Sequence, residues 1–188
     1  MKKNNKTNNQ LRNYLPNRVF MKFKSFLYKI KGLNIHSSVY ILSGAKILRY
    51  LENITFSNNV IIKSNAQICS CNKDAKIIIG ENSTVGDYTF IYSSQRIEIG
   101  NDCMIAPFVY IVDSNHGTSL DSNMNVQPNE TKPIKIQDNV WIGTHSIILP
   151  GVKIGSGAII ASGSVVNIDI PPNTICGGVP VKLLKKRK

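Results

Sequence analysis

Aromatic side chains are scarce in this chain of 188 residues, at 7% of the total with a single Trp. A core without large rings must be narrow and filled by aliphatics, and an apolar content of 42% supplies enough of them for one domain. Cysteine is equally sparse. Cys69, Cys71, Cys103 and Cys176 contain no CxxC pair and have no histidines at zinc spacing, so neither a structural metal nor a disulfide framework is expected. No run of 18 apolar residues exists, and the N-terminus lacks the apolar stretch of a signal peptide. These absences predict a reduced, cytoplasmic protein. Acid is missing from residues 1–31, which hold nine Lys or Arg, and residues 182–188 hold five more. Fourteen of the 23 cationic residues therefore lie in the two ends, and the net charge of +12 overstates a middle that is near neutral. Basic ends suit an acidic membrane surface, a phosphorylated ligand or nucleic acid. No zinc finger, RNA-binding sheet motif or helix-turn-helix accompanies them, so nucleic acid is not expected.

What is present is a period of six. From Ile136 to Val166 an aliphatic returns at 136, 142, 148, 154, 160 and 166, and a small or β-branched residue follows four positions behind. An α-helix repeats at 3.6 and cannot hold one face apolar at six, whereas a short strand plus a corner fits six residues. The same phase runs back through Ile99, Ile105 and Ile111, then Ile79, Val85 and Ile91, then Phe56, Ile62 and Ile68, to Ile35, Ile41 and Ile47. Three hexads make a triangular turn, so the pattern predicts an all-β solenoid of about six parallel coils over residues 32–171. The step from 99 to 136 is 37 residues, not about 18, which predicts one extruded loop over 113–131. Gly80, Gly86, Gly100, Gly143 and Gly155 directly follow inward aliphatics and are expected at tight corners.

Either side of the solenoid lie two basic segments. Residues 1–16, rich in Lys and Asn, are expected to be disordered. Arg18 to Lys31 interleaves Lys with Val, Phe, Leu, Tyr and Ile, which predicts an amphipathic helix. Its apolar stripe either covers the open first coil or lies on a membrane surface. The prolines at 171 and 172 end the repeat, and residues 172–188 form a basic terminal segment.

The hexads, the loop ending in Pro128-Asn-Glu-Thr-Lys-Pro133, the block Val140-Trp-Ile-Gly143, Ile148-Leu-Pro-Gly151 and the ending Asp169-Ile-Pro-Pro172 with Gly177-Gly-Val-Pro180 resemble the hexapeptide-repeat acyltransferases. Among these the pattern is most similar to sugar O-acetyltransferases that modify capsule, lipopolysaccharide and exopolysaccharide. The resemblance covers residues 35 to about 185. It implies a left-handed coil, against the usual right-handed crossover. It also implies a homotrimer with active sites between subunits, and acetyl-CoA as acyl donor to a carbohydrate acceptor, with no metal.

The resemblance also points to particular residues. His116 opens the long loop, where reactive groups concentrate on a rigid scaffold; the family's catalytic histidine is similarly placed, which makes His116 the expected general base. His36 reads as surface and His145 as a polar slot in a regular coil. Asp113 and Asn115 are candidate partners for the imidazole, and the choice stays open. No catalytic cysteine is expected, and Cys103 and Cys176 read as space-fillers. The backbone N–H of Thr144 is the implied oxyanion donor. Trp141 is either a wall of the acetyl-CoA cleft or an intersubunit packing residue. Gly143, Ser162 and Gly163 would let the pantetheine arm approach the backbone. Asn167 and Ile168 stand where several relatives carry Thr-Lys, so Lys182, Lys185 and Lys186 are candidates for the missing phosphate contact. Tyr88 departs from the acceptor-holding Asn or Asp of some relatives. Two other readings stay open: an N-acetyltransferase acting on an amino sugar, and a non-catalytic scaffold.

Overall fold

In an isolated hexad two residues of strand could not persist; stacked on identical hexads, they can. The computed structural model describes residues 18–188, and the expected disorder over 1–16 lies outside them. Three parallel sheets form the walls of a prism. The first holds Asn34–Ile35, Ile54–Phe56, Lys76–Ile79, Arg96–Ile99, Ile134–Ile136 and Lys153–Ile154. The second holds Tyr40–Ile41, Ile61–Ile62, Thr84–Val85, Met104–Ile105, Trp141–Ile142 and Ile159–Ile160, then continues into the chain's end. The third holds Lys46–Arg49, Gln67–Ser70, Phe90–Ser93, Tyr110–Val112, Ile147–Ile148 and Val165–Val166. Every aliphatic of the six triplets, and Phe56 with them, is buried in one continuous cluster.

Like residues stack on like along the axis, which is why the period was strict. Ile99 pairs with Ile136, Ile136 with Ile154, and Ile142 with Ile160. The slots four behind take Val39, Ala45, Val60 and Ala66, all buried. Polar residues enter these slots only with a bond. The Ser83 hydroxyl donates to the Gly100 carbonyl at 2.8 Å and that of Thr89 to Ala106 at 2.9 Å, which offsets their desolvation.

The corners correct one expectation. The residue that turns each corner lies three positions after the inward aliphatic and sits in the left-handed region, as at Asn65 (φ 60°), Asn82 (φ 58°), Asn139 (φ 57°) and Gly157 (φ 69°). Asn, Asp and Gly tolerate that conformation best. The glycines directly after the aliphatics serve another purpose. A Cβ on Gly80 would lie 2.5 Å from the Gly100 carbonyl carbon, and one on Gly143 would lie 2.6 Å from the Ser162 amide nitrogen. They are needed because adjacent coils touch there, not because the chain turns.

The loop leaves where the spacing placed it. Ser114–Asn115 and Glu130–Thr131 pair antiparallel as its neck, and the Lys132 amide donates to the Asp113 carbonyl at 2.9 Å. Coils on either side of it stay in register, with Glu98 opposite Lys135 and Tyr110 opposite Ile147.

Both ends differ from expectation. Beyond the prolines the second sheet continues. Thr174–Gly177 pairs parallel with Ile159–Ile160, and Lys182–Lys186 adds an antiparallel final strand. The basic C-terminal segment is therefore built onto the prism, past the expected boundary at 171. At the other end, helix α1 (Arg18–Ile30) does sit against the first coil, but with its polar face inward. The first coil has no coil beneath it, so its backbone groups need partners. Lys24 Nζ donates to the Leu42 and Ala45 carbonyls at 2.8 Å each, Ser25 Oγ donates to Val39 at 3.0 Å, and the Tyr28 hydroxyl oxygen accepts from the Ile47 amide at 3.2 Å. Burial holds the Lys24 ammonium pKa below its ordinary value. The cap thus combines these polar contacts with buried Met21 and the Tyr28 ring, which packs on the core, while Val19, Phe23, Phe26, Leu27 and Ile30 face outward.

Candidate functional site

Two clusters carry chemistry, and within one chain they stay apart. The first is the neck of the loop, at the corner between the third and first sheets. Asp113 is fully buried there, but it does not serve His116. Its Oδ2 accepts from Ser93 Oγ (2.7 Å) and from the Gln95 (3.0 Å) and Arg96 (2.7 Å) amides, and its Oδ1 from the Ser94 amide (2.6 Å). Both oxygens are spent on fixing the chain that turns the corner below. Asn115 is exposed and pairs across the neck with Glu130. His116 follows, exposed, and its ring has no hydrogen-bond partner among the described residues. The loop that presents it is held internally by Gln127, which sequence reasoning missed. The Gln127 amide donates to the Ser119 and Ser122 carbonyls (2.8 and 2.7 Å), while its Oε1 accepts from the Ser119 amide at 2.9 Å. Gly117 is buried beside His116, and a Cβ on it would meet Gln127 Oε1 at 2.7 Å. No local signal distinguishes such a glutamine from any other loop residue.

The second cluster lies around the corner between the second and third sheets. Trp141 stands outward from the second sheet, 47% exposed, between Met104 and Ile159 in the ladder. That row continues from Ile159 to Ile175 and then to Lys185 on the last strand. At about 4.8 Å per strand, the ammonium-bearing residue lies roughly 14 Å along the sheet from Trp141. Lys182 opens the same strand opposite Gly177. Gly143 lets the coil of Trp141 settle onto Ser162, and Gly163, with φ 70°, has open space where a side chain would be. Asn167 and Ile168 are exposed beyond it.

At some of the equivalent corners the corresponding N–H is taken by a side chain from the next coil: Ser64 by Asp87 (3.1 Å), Glu81 by Asn101 (2.8 Å), Asn101 by Asp138 (2.8 Å); at others, Asp87 and Thr144 among them, it is not. Ser162 makes no such bond to Thr144, whose hydroxyl instead donates to the Pro107 carbonyl at 2.7 Å. The Thr144 N–H is left without a protein acceptor among the described residues, available to an incoming oxygen. Beside it, Tyr88, Phe108 and His145 occupy three successive left-handed corners with φ of 55–60°, and their rings stack at 5.2 and 4.9 Å. Bulky residues rarely take that conformation, and stacking offsets part of its cost. His145 is a member of this stack, bonded to Thr144 Oγ1 at 3.1 Å, and its slot in the coil is a structural one. The outward residues of the third sheet next to the stack, Phe90, Tyr110 and Ile147, are apolar and lie in one ladder row. The corresponding row of the first sheet is mostly polar, running Thr55, Ile78, Glu98, Lys135 and Lys153.

Among the described residues no group of three or more His, Cys, Asp or Glu is placed to hold a metal. Cys103 and Cys176 are buried; the Cys103 thiol is pushed up to about 11, first of all by burial.

With this geometry in hand, likeness to known proteins is informative. A family model for bacterial transferase hexapeptide (six repeats) matches residues 133–167. WbbJ of Escherichia coli K12, which carries an O-acetyl transferase assignment in lipopolysaccharide biosynthesis, is 38% identical over 118 residues, or 58% of this chain and 60% of WbbJ. The hexapeptide-repeat acetyltransferase VCA0836 of Vibrio cholerae, solved with acetyl-CoA, superposes with a TM-score of 0.61 at 30% identity, over 78% of this chain and 73% of that one. AntD, an N-acyltransferase from Bacillus cereus solved with dTDP and 3-hydroxybutyryl-CoA, gives a TM-score of 0.76 at 28% identity, over 88% of both chains. The chain belongs to the hexapeptide-repeat transferase family. It spans 43–60% of the length of four curated relatives that it matches.

Proposed function

We propose that the protein is an acetyl-CoA-dependent O-acetyltransferase that esterifies a sugar hydroxyl in bacterial surface-polysaccharide synthesis. The observation that carries this reading is the placement of two groups that no other described residue engages, the exposed His116 imidazole on its internally braced loop and the Thr144 N–H at the corner beside Trp141. In one chain they lie at opposite edges of the third sheet. A second copy, packed against the apolar outward rows of the second and third sheets, would bring one copy's loop to the other's corner. Repeated around a closed ring, that contact gives one site per interface; the family resemblance implies that the ring is a homotrimer with three such sites.

In such a site the donor's pantetheine arm would run along the row from Trp141 past Ile159 and Ile175, with Gly143, Ser162 and Gly163 permitting close approach. Lys185 and Lys182 would meet the CoA phosphates as point charges. The neutral His116 imidazole removes the proton of the acceptor hydroxyl as its oxygen attacks the thioester carbonyl. Negative charge that develops on the carbonyl oxygen is met by the Thr144 N–H. Collapse expels CoA thiolate, which takes the proton back from the imidazolium and leaves the acetyl ester and free CoA. No covalent acyl-enzyme is involved, consistent with thiols that are buried or remote from this corner.

A second reading, N-acylation of a nucleotide-linked amino sugar, is favoured by the likeness over 88% of the chain to AntD, a mutant of which was solved with dTDP-4-amino-4,6-dideoxyglucose and coenzyme A. Transfer to a panel of sugars, sugar nucleotides and amino sugars, read by released CoA thiol and by the alkaline lability of the product, separates ester from amide. His116→Ala should reduce turnover about 10²–10⁴-fold with acetyl-CoA binding retained. A variant that keeps wild-type turnover would remove His116 from the mechanism, and a wild type that does not bind acetyl-CoA would return the chain to a scaffold role.

A further inference from the structure

The outward stripe of α1 has no role in the cap or in the proposed chemistry. Val19 (81%), Phe23 (56%), Phe26 (57%), Leu27 (42%) and Ile30 (68%) are exposed on one side of the helix. At 100° per residue these five fall within about 100° of arc, opposite Met21, Ser25 and Tyr28, which face the first coil. Helices ordinarily bury their apolar stripe. Here the bare backbone of the coil claims the polar side through Lys24, Ser25 and Tyr28, so the apolar side is forced outward. A pocket of about 300 Å³ lies on its flank, lined by Lys22, Ser25, Phe26, Lys29, Ile35, His36 and Ser37. Two ammonium groups, an imidazole and a serine hydroxyl around one apolar ring make a site for a phosphate attached to something greasy. The sequence reinforces this end's charge. The first acidic residue of the whole chain is Glu52, and Lys2, Lys3, Lys6 and Arg12 precede the helix.

We propose that the outward face of α1 docks the protein on the surface of an anionic phospholipid bilayer, with Phe23, Phe26 and Ile30 entering the acyl boundary and Lys22 and Lys29 holding a lipid phosphate in the flanking pocket. A helix of 13 residues cannot span a bilayer, and no described helix is long and apolar enough to do so. The association is therefore peripheral, with the prism axis pointing away from the membrane. An apolar stripe and a cationic flank reinforce each other on such a surface, since either alone anchors weakly.

The test is flotation of the full-length protein with vesicles of phosphatidylcholine alone or mixed with phosphatidylglycerol. The wild type should float with the anionic vesicles only, and less in high salt. Lys22→Glu with Lys29→Glu should reduce binding at least about thirtyfold, the loss of two cations before any repulsion from the new carboxylates, and Phe23→Asp with Phe26→Asp about a hundredfold. All four side chains lie on the solvent side of the helix, so circular dichroism and melting should match the wild type, as should turnover on a free acceptor. Failure of the wild type to float with anionic vesicles overturns the proposal, as does flotation unchanged by both double variants. Millimolar inorganic phosphate at constant ionic strength should compete for the pocket and lower flotation, whereas phosphate binding by a wild type that does not float would mean a phosphate site without a lipid one and overturn the proposal. A wild-type mass by light scattering that falls in the phenylalanine variant would mean that the stripe is covered by a second copy instead.

Discussion

Replacing Asp113 distinguishes an anchor from a catalytic partner. The carboxylate is fully buried and accepts from one hydroxyl and three backbone amides at 2.6–3.0 Å. In Asp113→Ala the Ser93 hydroxyl keeps its second acceptor, the Lys76 carbonyl at 3.2 Å. The amides of Ser94, Gln95 and Arg96 have none. At about 1–3 kcal/mol for each buried donor left unpaired, with water relieving some of the loss, the expected cost is about 3–6 kcal/mol. In a domain of this size, at about 2–4 °C per kcal/mol, that lowers the melting temperature by about 6–24 °C. Asp113→Asn is the more discriminating change. Its carbonyl can serve the three donors at Oδ2, but its NH₂ then faces the Ser94 amide, a donor against a donor, for a loss of about 2 kcal/mol. Urea unfolding followed by circular dichroism reads both variants. Were Asp113 instead the orienting partner of His116, the Asn variant would keep wild-type stability and lose turnover. An Ala variant within about 0.5 kcal/mol of the wild type, the range of an ordinary surface change, would refute the anchoring role.

Two further predictions come from the coil contacts. Gly143→Ala places a methyl 2.6 Å from the Ser162 nitrogen, so neighbouring coils must separate. A loss of about 1–3 kcal/mol in urea unfolding is expected, and unchanged stability would mean that the stacking is looser than the geometry shows. Among the thiols, burial pushes Cys103 and Cys69 each up to about 11, while Cys71 is partly exposed. Iodoacetamide at neutral pH should therefore label Cys71 well ahead of Cys103 in the native protein, and equal labelling by peptide mass spectrometry would contradict the burial.

The solenoid was legible because its packing is one-dimensional: Ile154, Ile160 and Val166 sit over Ile136, Ile142 and Ile148, so a core contact in space becomes a near-constant interval in sequence. The loop was legible as the one break in that interval. Residues whose neighbours come from other intervals were not. Gly143 was read as a corner residue, when the constraint on it is a backbone 19 residues away. The stack of Tyr88, Phe108 and His145 occupies slots that elsewhere hold Asn or Gly, and a three-residue column spread over 58 positions leaves no local pattern. Asp113 looked like a partner for His116 because the two are close in sequence, while its four donors lie 17–20 residues earlier. In α1 the amphipathic pattern was plain but its direction was not, because the bare carbonyls of the first coil decide which face turns inward.

The way the loop is inserted has an evolutionary consequence. Its two ends enter and leave at a neck of two residue pairs, and the ladders above and below meet as though nothing intervened. Length and composition of the segment between Asn115 and Glu130 can therefore drift at little cost to the stack, since closing a longer loop adds only about 0.6 kcal/mol per doubling. On the proposed assignment, selection for a new acceptor can act on the residues after His116, 117–129, while Trp141, Gly143 and Thr144 belong to the repeat and are tied to its folding. One framework of this kind can thus present different loops without rebuilding its core.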